Sequence, residues 1–343
     1  MLDFLFEYGM FLAKSVTVIV AVAIILILIA GLSRKSAGGP RLTVEKLNEK
    51  FREMADVLQA AMLNKSAWKK REKEEKKEKK QQEKAATTKD DHRKRIFVLD
   101  FKGDIRATGV ANLREEITGI VAVATDKDEV VLRLENPGGA VHEHGLAASQ
   151  LLRIKERGIP LTVIVDKIAA SGGYLMACIA DRIIAAPFAV IGSIGVIAQI
   201  PNFHRVLESK GVDFEQVTAG KYKRTVTMFG RNTDEDRAKL KEELEDVHAL
   251  FKLLVARHRP DLDVEAIATG EHWYGTRALE LGLIDELGTS DDVLMSAAPD
   301  ADIFEISYRG KQTLQERLMS TFEASADRVA LWVAEQQNRS RYR

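Results

Sequence analysis

Hydrophobic and polar positions change texture four times along this 343-residue chain. Residues 15–32 form the first texture, 18 consecutive residues without a charge. As a helix rising about 1.5 Å per residue they would span roughly 27 Å, close to the hydrocarbon thickness of a bilayer. Asp3 and Glu7 precede the run and no clear A-x-A site follows it, so the pattern predicts a retained transmembrane anchor over residues 1–40. The second texture is a stripe. Val44, Leu47, Phe51, Met54, Leu58, Ala61 and Met62 recur at steps of three and four, which predicts a helix starting near Val44 with Thr43 as its cap. One apolar face on such a helix is a packing or self-association surface. Residues 69–80, the third texture, are all Lys, Arg or Glu, with many pairs four apart. They read as a solvated spacer, and residues 41–95 together as an amphipathic and charged helical linker.

From residue 96 the pattern alternates. Short apolar runs at 96–101, 129–135, 161–166, 182–186 and 214–218 read as strands. Helical patterns lie at 142–157, 172–179, 202–210 and 234–259. This alternation predicts an α/β domain over residues 96–310 with a largely parallel, helix-covered sheet. Residues 282–285 read as a helix end followed by a short strand. Leu314, Leu318, Phe322, Ala326, Val329 and Val333 share one side of a C-terminal amphipathic helix over 311–343.

Charge changes the picture in one place. The chain balances 51 basic against 51 acidic residues, which gives no general case for a nucleic-acid partner. Residues 65–95 nevertheless carry 14 Lys or Arg against 7 Asp or Glu, so this segment is +7 and the remainder −7. Around the apolar run, Lys14 stands alone on the N-terminal side, while Arg34, Lys35, Arg41, Lys46, Lys50 and Arg52 follow it. The positive-inside rule therefore puts the bulk of the chain in the cytoplasm. Cys178 is the one cysteine and lies in an apolar run, so no internal disulfide forms and core filling is its expected role.

Candidate chemistry centres on Ala169-Ala170-Ser171-Gly172-Gly173-Tyr174, directly after the predicted strand at 161–166. A serine at a strand-to-helix corner projects its Oγ into a cleft, and the glycines after it let backbone N–H groups approach a substrate. Alone, the same residues also describe a plain glycine-rich turn. Asn136-Pro137-Gly138-Gly139 ends another strand and opens another helix, where free N–H groups can meet developing negative charge. Acyl transfer at Ser171 needs a base. His142, His144 and His204 sit in no triad context, and His142-Glu143-His144 reads as a solvated helix start, not as a metal site. Gly220-Lys221-Tyr222-Lys223-Arg224 offers lysines, which act as bases only when burial and neighbouring cations lower their pKa well below about 10.4. Lys167 is a further lysine, placed as a surface charge at a strand end.

Four motifs in order, Asn136-Pro137-Gly138-Gly139, Ala169 to Tyr174, Ile191-Gly192-Ser193-Ile194-Gly195-Val196 and Gly220-Lys221-Tyr222-Lys223, resemble the signal peptide peptidase A family of membrane-bound serine proteases. The resemblance covers about residues 96–290. It implies a ClpP/crotonase-like fold and a Ser-Lys dyad that needs no cofactor or metal. On these motifs Ser171 falls on the nucleophile, Lys223 on the general base and Ser193 on the serine that orients the lysine. Gly138 or Gly139, together with Gly172, falls on the oxyanion hole. Arg224 departs from the acidic or small residue that many members carry there. The resemblance further implies peptide or unfolded-protein substrates, such as signal-peptide remnants. It implies homo-oligomeric rings in which one chain's lysine completes its neighbour's serine site. It also implies a single-pass place in the bacterial inner membrane with the catalytic domain on the periplasmic side, against the charge rule. A crotonase-type acyl-CoA enzyme would share the fold but need carboxylates at the site. A non-enzymatic membrane scaffold would use the stripe at 44–62.

Overall fold

The computed structural model of the protein describes residues 7–20, 22, 41–64, 66, 71, 73, 77 and 93–310. The chain divides into one unit of residues 1–41 with 309–343 and another of residues 42–308. In the first unit, residues 7–20 and 22 are helical. Most of the apolar run at 15–32 lies outside the described residues. Among those described, no helix is long and apolar enough to cross a membrane. Most of the charged run at 69–80 and the whole amphipathic pattern at 314–333 also lie outside them.

Apart from the end residues Arg41 and Arg309, which fall in the first, the second unit runs β1 (Arg41–Lys46), α1 (Leu47–Met62), β2 (Lys94–Lys102), α2 (Val110–Val121), β3 (Glu129–Glu135), α3 (Val141–Lys155), β4 (Leu161–Val165), β5 (Ile168–Ala170), α4 (Gly172–Ala177), β6 (Arg182–Ala185), β7 (Val190–Gly192), α5 (His204–Ser209), α6 (Asp234–His258), α7 (Val264–Ile267), β8 (His272–Tyr274), α8 (Gly275–Glu280), β9 (Glu286–Leu287), α9 (Ser290–Ala297) and β10 (Ala301–Arg309). A seven-stranded sheet has the order β1-β10-β2-β3-β4-β6-β9. It is parallel from β10 through β9, as the strand-helix alternation predicts.

Its strands are apolar on both faces because both faces are covered. Phe97, Leu99 and Phe101 of β2, with Val130, Leu132 and Leu134 of β3, point into the larger core. There they meet Leu113 and Ile117 of α2, Leu151 and Ile154 of α3 and Phe251 and Val255 of α6. The alternate residues Ile96, Val98 and Val131 form a smaller core on the other face with Leu47 of α1 and Leu294 of α9.

Three predicted elements differ. Residues 41–46 are an edge strand, so the helix begins at Leu47 and Thr43 is not its cap; Lys46 stands at the cap position without a side-chain bond. Pairing of β1 with β10 satisfies that backbone, and Asn48 ties the segment down. Its Nδ2 donates to the Ala298 and Ala301 carbonyls and its Oδ1 accepts from the Ile303 N–H. The predicted strand at 214–218 is a loop. It finds no sheet edge: Val217 is 96% exposed, and the Phe214 ring packs on Phe229 instead. After α8 the strand is β9, beyond the predicted 282–285, because Leu283 and Ile284 bury their side chains in a turn that starts at Gly282.

A second, three-stranded sheet, β5-β7-β8, positions the site. β5 and β7 run parallel with Ala170 opposite Gly192, so the residues that follow them, Ser171 and Ser193, leave the sheet side by side.

Candidate active site

Ser171 stands between β5 and α4 with φ 52° and ψ −118°. Among the described residues, Ala107, Ser171 and Ser193 are the non-glycine residues at positive φ, and the sequence singles out two of the three. Such a backbone costs on the order of 1–3 kcal/mol and persists where the surroundings over-determine it. Here they do. The Ser171 N–H donates to the Gly192 carbonyl at 2.8 Å, and the Ser171 carbonyl accepts from the Leu175 N–H at 2.9 Å. Ser193 is held by its own N–H donating to the Glu271 carbonyl at 2.6 Å.

The glycine turn after β3 lies directly against this corner. Gly138 has φ 91°, and a Cβ on it would come within 2.8 Å of Ser171 Cβ and of the Gly172 nitrogen. Only glycine lets the two turns approach this closely. A backbone inventory of the turn then separates its two glycines. The Asn136 N–H donates to Ile168 O at 2.8 Å, Pro137 has no N–H, and Ala140 N–H donates to Ile105 O at 2.8 Å. The Gly138 N–H donates to Asn136 Oδ1 at 2.9 Å. Gly139 keeps the turn's one N–H without such a partner among the described residues. Gly172, the first residue of α4, presents its N–H at a helix start, where no intrahelical acceptor exists.

His144 corrects the reading of a solvated helix start. His142 is exposed, with its side chain 83% accessible, but His144 is completely buried. Two positions apart on a helix point to different sides, and the His144 side faces the glycine turn. Its Nε2 lies 3.2 Å from Asn136 Oδ1 and its Nδ1 3.0 Å from the Ala140 carbonyl. A Cβ on Gly172 would collide with the His144 ring.

Two cavities meet at Ser171. One, of about 300 Å³, is apolar and is walled by Val141, Leu175 and Val196 with Val247, Leu250 and Leu254 of α6. The other, of about 850 Å³, reaches past Gly138, Gly139 and Ser193 to Lys241, Glu245 and His248 of α6. The sequence reading missed this role of α6. Residues 247, 250, 251 and 254 give an ordinary core stripe, and only the tertiary position of α6 turns that stripe into a pocket wall. His248 was likewise unforeseen; its Nε2 is buried and has no hydrogen-bond partner among the described residues.

Lys223 lines neither cavity. It sits on an exposed turn, its N–H donating to Gly220 O at 3.2 Å. The structure thus brings Ser171, Ser193, Gly138, Gly139 and Gly172 together within one chain and leaves Lys223 apart. Lys221 is occupied: hydrogen bonding to Tyr222 and to the Glu235 carboxylate, 2.9 Å away, holds its ammonium above the usual lysine range. Lys167 pairs with Glu135 at 3.2 Å at the strand end, as expected of a surface charge. Cys178 is buried, and burial pushes its thiol up to about 12, so it is core and not nucleophile. Among the described residues no cluster of His, Cys, Asp or Glu has the arrangement of a metal site.

Comparison with known proteins gives this geometry a family. The peptidase family S49 N-terminal model matches residues 3–151, and the peptidase family S49 model matches residues 153–303. The protein named "Probable protease SohB" in Haemophilus influenzae is 46% identical over 333 residues, covering 94% of each chain. Its namesake in Buchnera aphidicola subsp. Acyrthosiphon pisum is 47% identical, covering 93% of this chain and 94% of that protein. A protein of Enterococcus faecium named for the signal peptide peptidase SppA is 30% identical, covering 64% of this chain and 68% of its own length. With a serine corner, a glycine turn and two cavities where these matches run, the chain belongs to peptidase family S49 and is a serine-type peptidase.

Proposed function

We propose that this chain is a membrane-anchored endopeptidase that cleaves unfolded or membrane-released peptides through a Ser-Lys dyad. The observation that carries the reading is the corner itself: Ser171, held at positive φ, lies against the glycine turn at the meeting point of two cavities. In this reading Ser171 Oγ attacks the scissile carbonyl while the neutral Lys223 amine takes its proton. Gly139 and Gly172 N–H groups stabilise the oxyanion, since Gly138 has given its N–H to Asn136. The protonated lysine passes its proton to the leaving amine, and water then hydrolyses the acyl-enzyme. Ser193 holds the lysine in line.

Because Lys223 stands away from Ser171 within one chain, the lysine at each serine is a neighbour's, and the working form is a homo-oligomeric ring. Residues 15–32 supply a bilayer anchor, and the sheet domain takes the ClpP/crotonase-like fold. The apolar cavity receives an apolar side chain beside the scissile bond.

The test is hydrolysis of an unfolded protein and of fluorogenic peptides by the detergent-solubilised chain between about pH 6 and 10. Wild type should be active, while Ser171→Ala and Lys223→Ala should each be inactive. Mixing the two variants should restore activity. Hydrolysis retained by Ser171→Ala overturns the reading. Assembled mixtures that stay inactive overturn the shared site.

A further inference from the structure

We propose that His144, acting through Asn136, is a positioning residue for the oxyanion hole. The inference rests on Ser171 being the nucleophile, and it concerns two side chains that the dyad chemistry leaves unused. Both are polar and both are completely buried. Burying such groups costs free energy unless their hydrogen bonds are made, and a well-packed apolar pair would fill the space without that requirement. Their contacts show what the polar pair does instead.

Asn136 ties together the two turns that carry the oxyanion donors. Its side-chain Oδ1 accepts from Gly138 N–H at 2.9 Å, and this orients the turn so that the next N–H, that of Gly139, is left for the cleft. Its backbone carbonyl accepts from Ala170 N–H at 3.0 Å, one residue before the nucleophile. A Cβ on Gly173 would strike the same carbonyl, so α4 also starts directly against Asn136. The amide has one workable orientation. Exchanging Oδ1 and Nδ2 would set an NH₂ group against the Gly138 N–H, two donors facing each other, and would remove the Nδ2 contact with Met176 Sδ at 3.3 Å.

His144 fixes that orientation from behind. Its Nε2 lies 3.2 Å from Asn136 Oδ1, and its ring fills the space where a Gly172 side chain would be. The Ala140 carbonyl near Nδ1 already accepts from the backbone N–H groups of Glu143 at 3.2 Å and His144 at 3.1 Å. Both ring nitrogens thus face oxygens that can only accept, and it is an Nε2–H, donated to Asn136 Oδ1, that holds the amide. One imidazole then touches both halves of the hole, reaching the Gly139 half through Asn136 and the Gly172 half by direct packing. Removing it frees the Asn136 amide to rotate and lets both donors drift. Substrate binding in the two cavities is untouched, because His144 lines neither.

The experiment compares wild type, His144→Leu, His144→Gln and Ser171→Ala as full chains. It measures kcat and KM on one fluorogenic peptide, affinity for a peptide boronate that adds to the nucleophilic serine, and the melting temperature. A misplacement of about 1 Å at a reacting centre costs on the order of 100-fold, so His144→Leu should lose about that factor in kcat and in boronate affinity, with KM unchanged. His144→Gln, whose amide N–H reaches the place of Nε2, should recover most of the loss. Wild-type kcat in His144→Leu overturns the proposal. So does a loss that His144→Gln fails to rescue, or one that follows a collapse in melting temperature in both variants, since His144 then serves only the fold. Failure of the underlying serine assignment looks different: Ser171→Ala would keep its hydrolysis and its boronate binding whatever His144 does.

Discussion

The Ser171 N–H donates to the Gly192 carbonyl at 2.8 Å, and this bond places Ser193 beside the candidate nucleophile although 22 residues separate them in the chain. The two strands that end at these serines run in register, and both serines leave them at φ 52°. A side chain reaching Ser171 through the larger cavity passes Ser193. Ser193→Ala should keep the fold and lower kcat by about 10- to 100-fold, the worth of one hydrogen bond to an ionisable group. Steady-state kinetics beside circular dichroism checks this, and an unchanged kcat would remove Ser193 from the lysine's path.

The two lysines of the 220–224 segment should behave oppositely. Lys221 is bound to Glu235 and lies over the Tyr222 ring, 4.9 Å from its centroid, so its ammonium is held charged. Lys221→Met should retain activity within a few-fold, whereas Lys223→Met should lose it entirely. The reverse pattern in a peptide assay would reassign the base.

The apolar cavity predicts a substrate preference. Leu250 is largely exposed on α6, yet it faces the cavity beside Ser171. Leu250→Ala should reduce kcat/KM for a peptide with leucine at the cleaved position by about 10-fold relative to one with alanine, as the loss of a few methylene contacts would. A uniform change across both peptides would place Leu250 outside the specificity pocket.

Glu116 predicts a pH-dependent stability. Burial, partly offset by the Tyr308 N–H bonded to its Oε1 at 2.8 Å, raises its carboxyl to about 6. The neutral form is thus favoured in the folded state. Its stabilising contribution is complete below the unfolded value of about 4.5 and is lost as pH rises through 6, a difference of about 2 kcal/mol. Glu116→Gln should flatten the stability profile between pH 4.5 and 6 and raise the melting temperature at pH 7. Denaturant titrations at pH 4, 5, 6 and 7 read this directly.

Much of this fold was legible because the strands β2, β3, β4 and β6 are short apolar runs separated by helical periodicity, and their predicted limits fall within one or two residues of those observed. β5, β7 and β8 have three residues each, too few to show a period; β5 and β7 overlap the serine motifs, and β8 carries no sequence signal of its own. The strand at 41–46 was absorbed into a helix because Val44 happens to fit the three-four step of the stripe after it. What decides its state is β10, more than 250 residues away. At the site, the glycine turns and Ser171 carry their own signal, and Ser193 enters only through the family resemblance. His144 carries none, since a His-Glu-His string at a helix start gives no hint of which histidine turns inward. The separation of Lys223 from Ser171 was likewise invisible in residue spacing, which says nothing of which chain a side chain serves.

The strand order also sets a timetable for synthesis. β10 inserts between β1 and β2, and Asn48 hydrogen-bonds to Ala298, Ala301 and Ile303, so the first and last parts of the described sheet domain complete one another. At about 5–20 residues per second a ribosome needs roughly 13–50 s to travel from β1 to β10. Throughout that interval β1 has no partner and the outer edge of β2 is open, an invitation to pair with another nascent chain. The N-terminal segment must wait, and a factor that shields it in the meantime would guard the yield of folded protease.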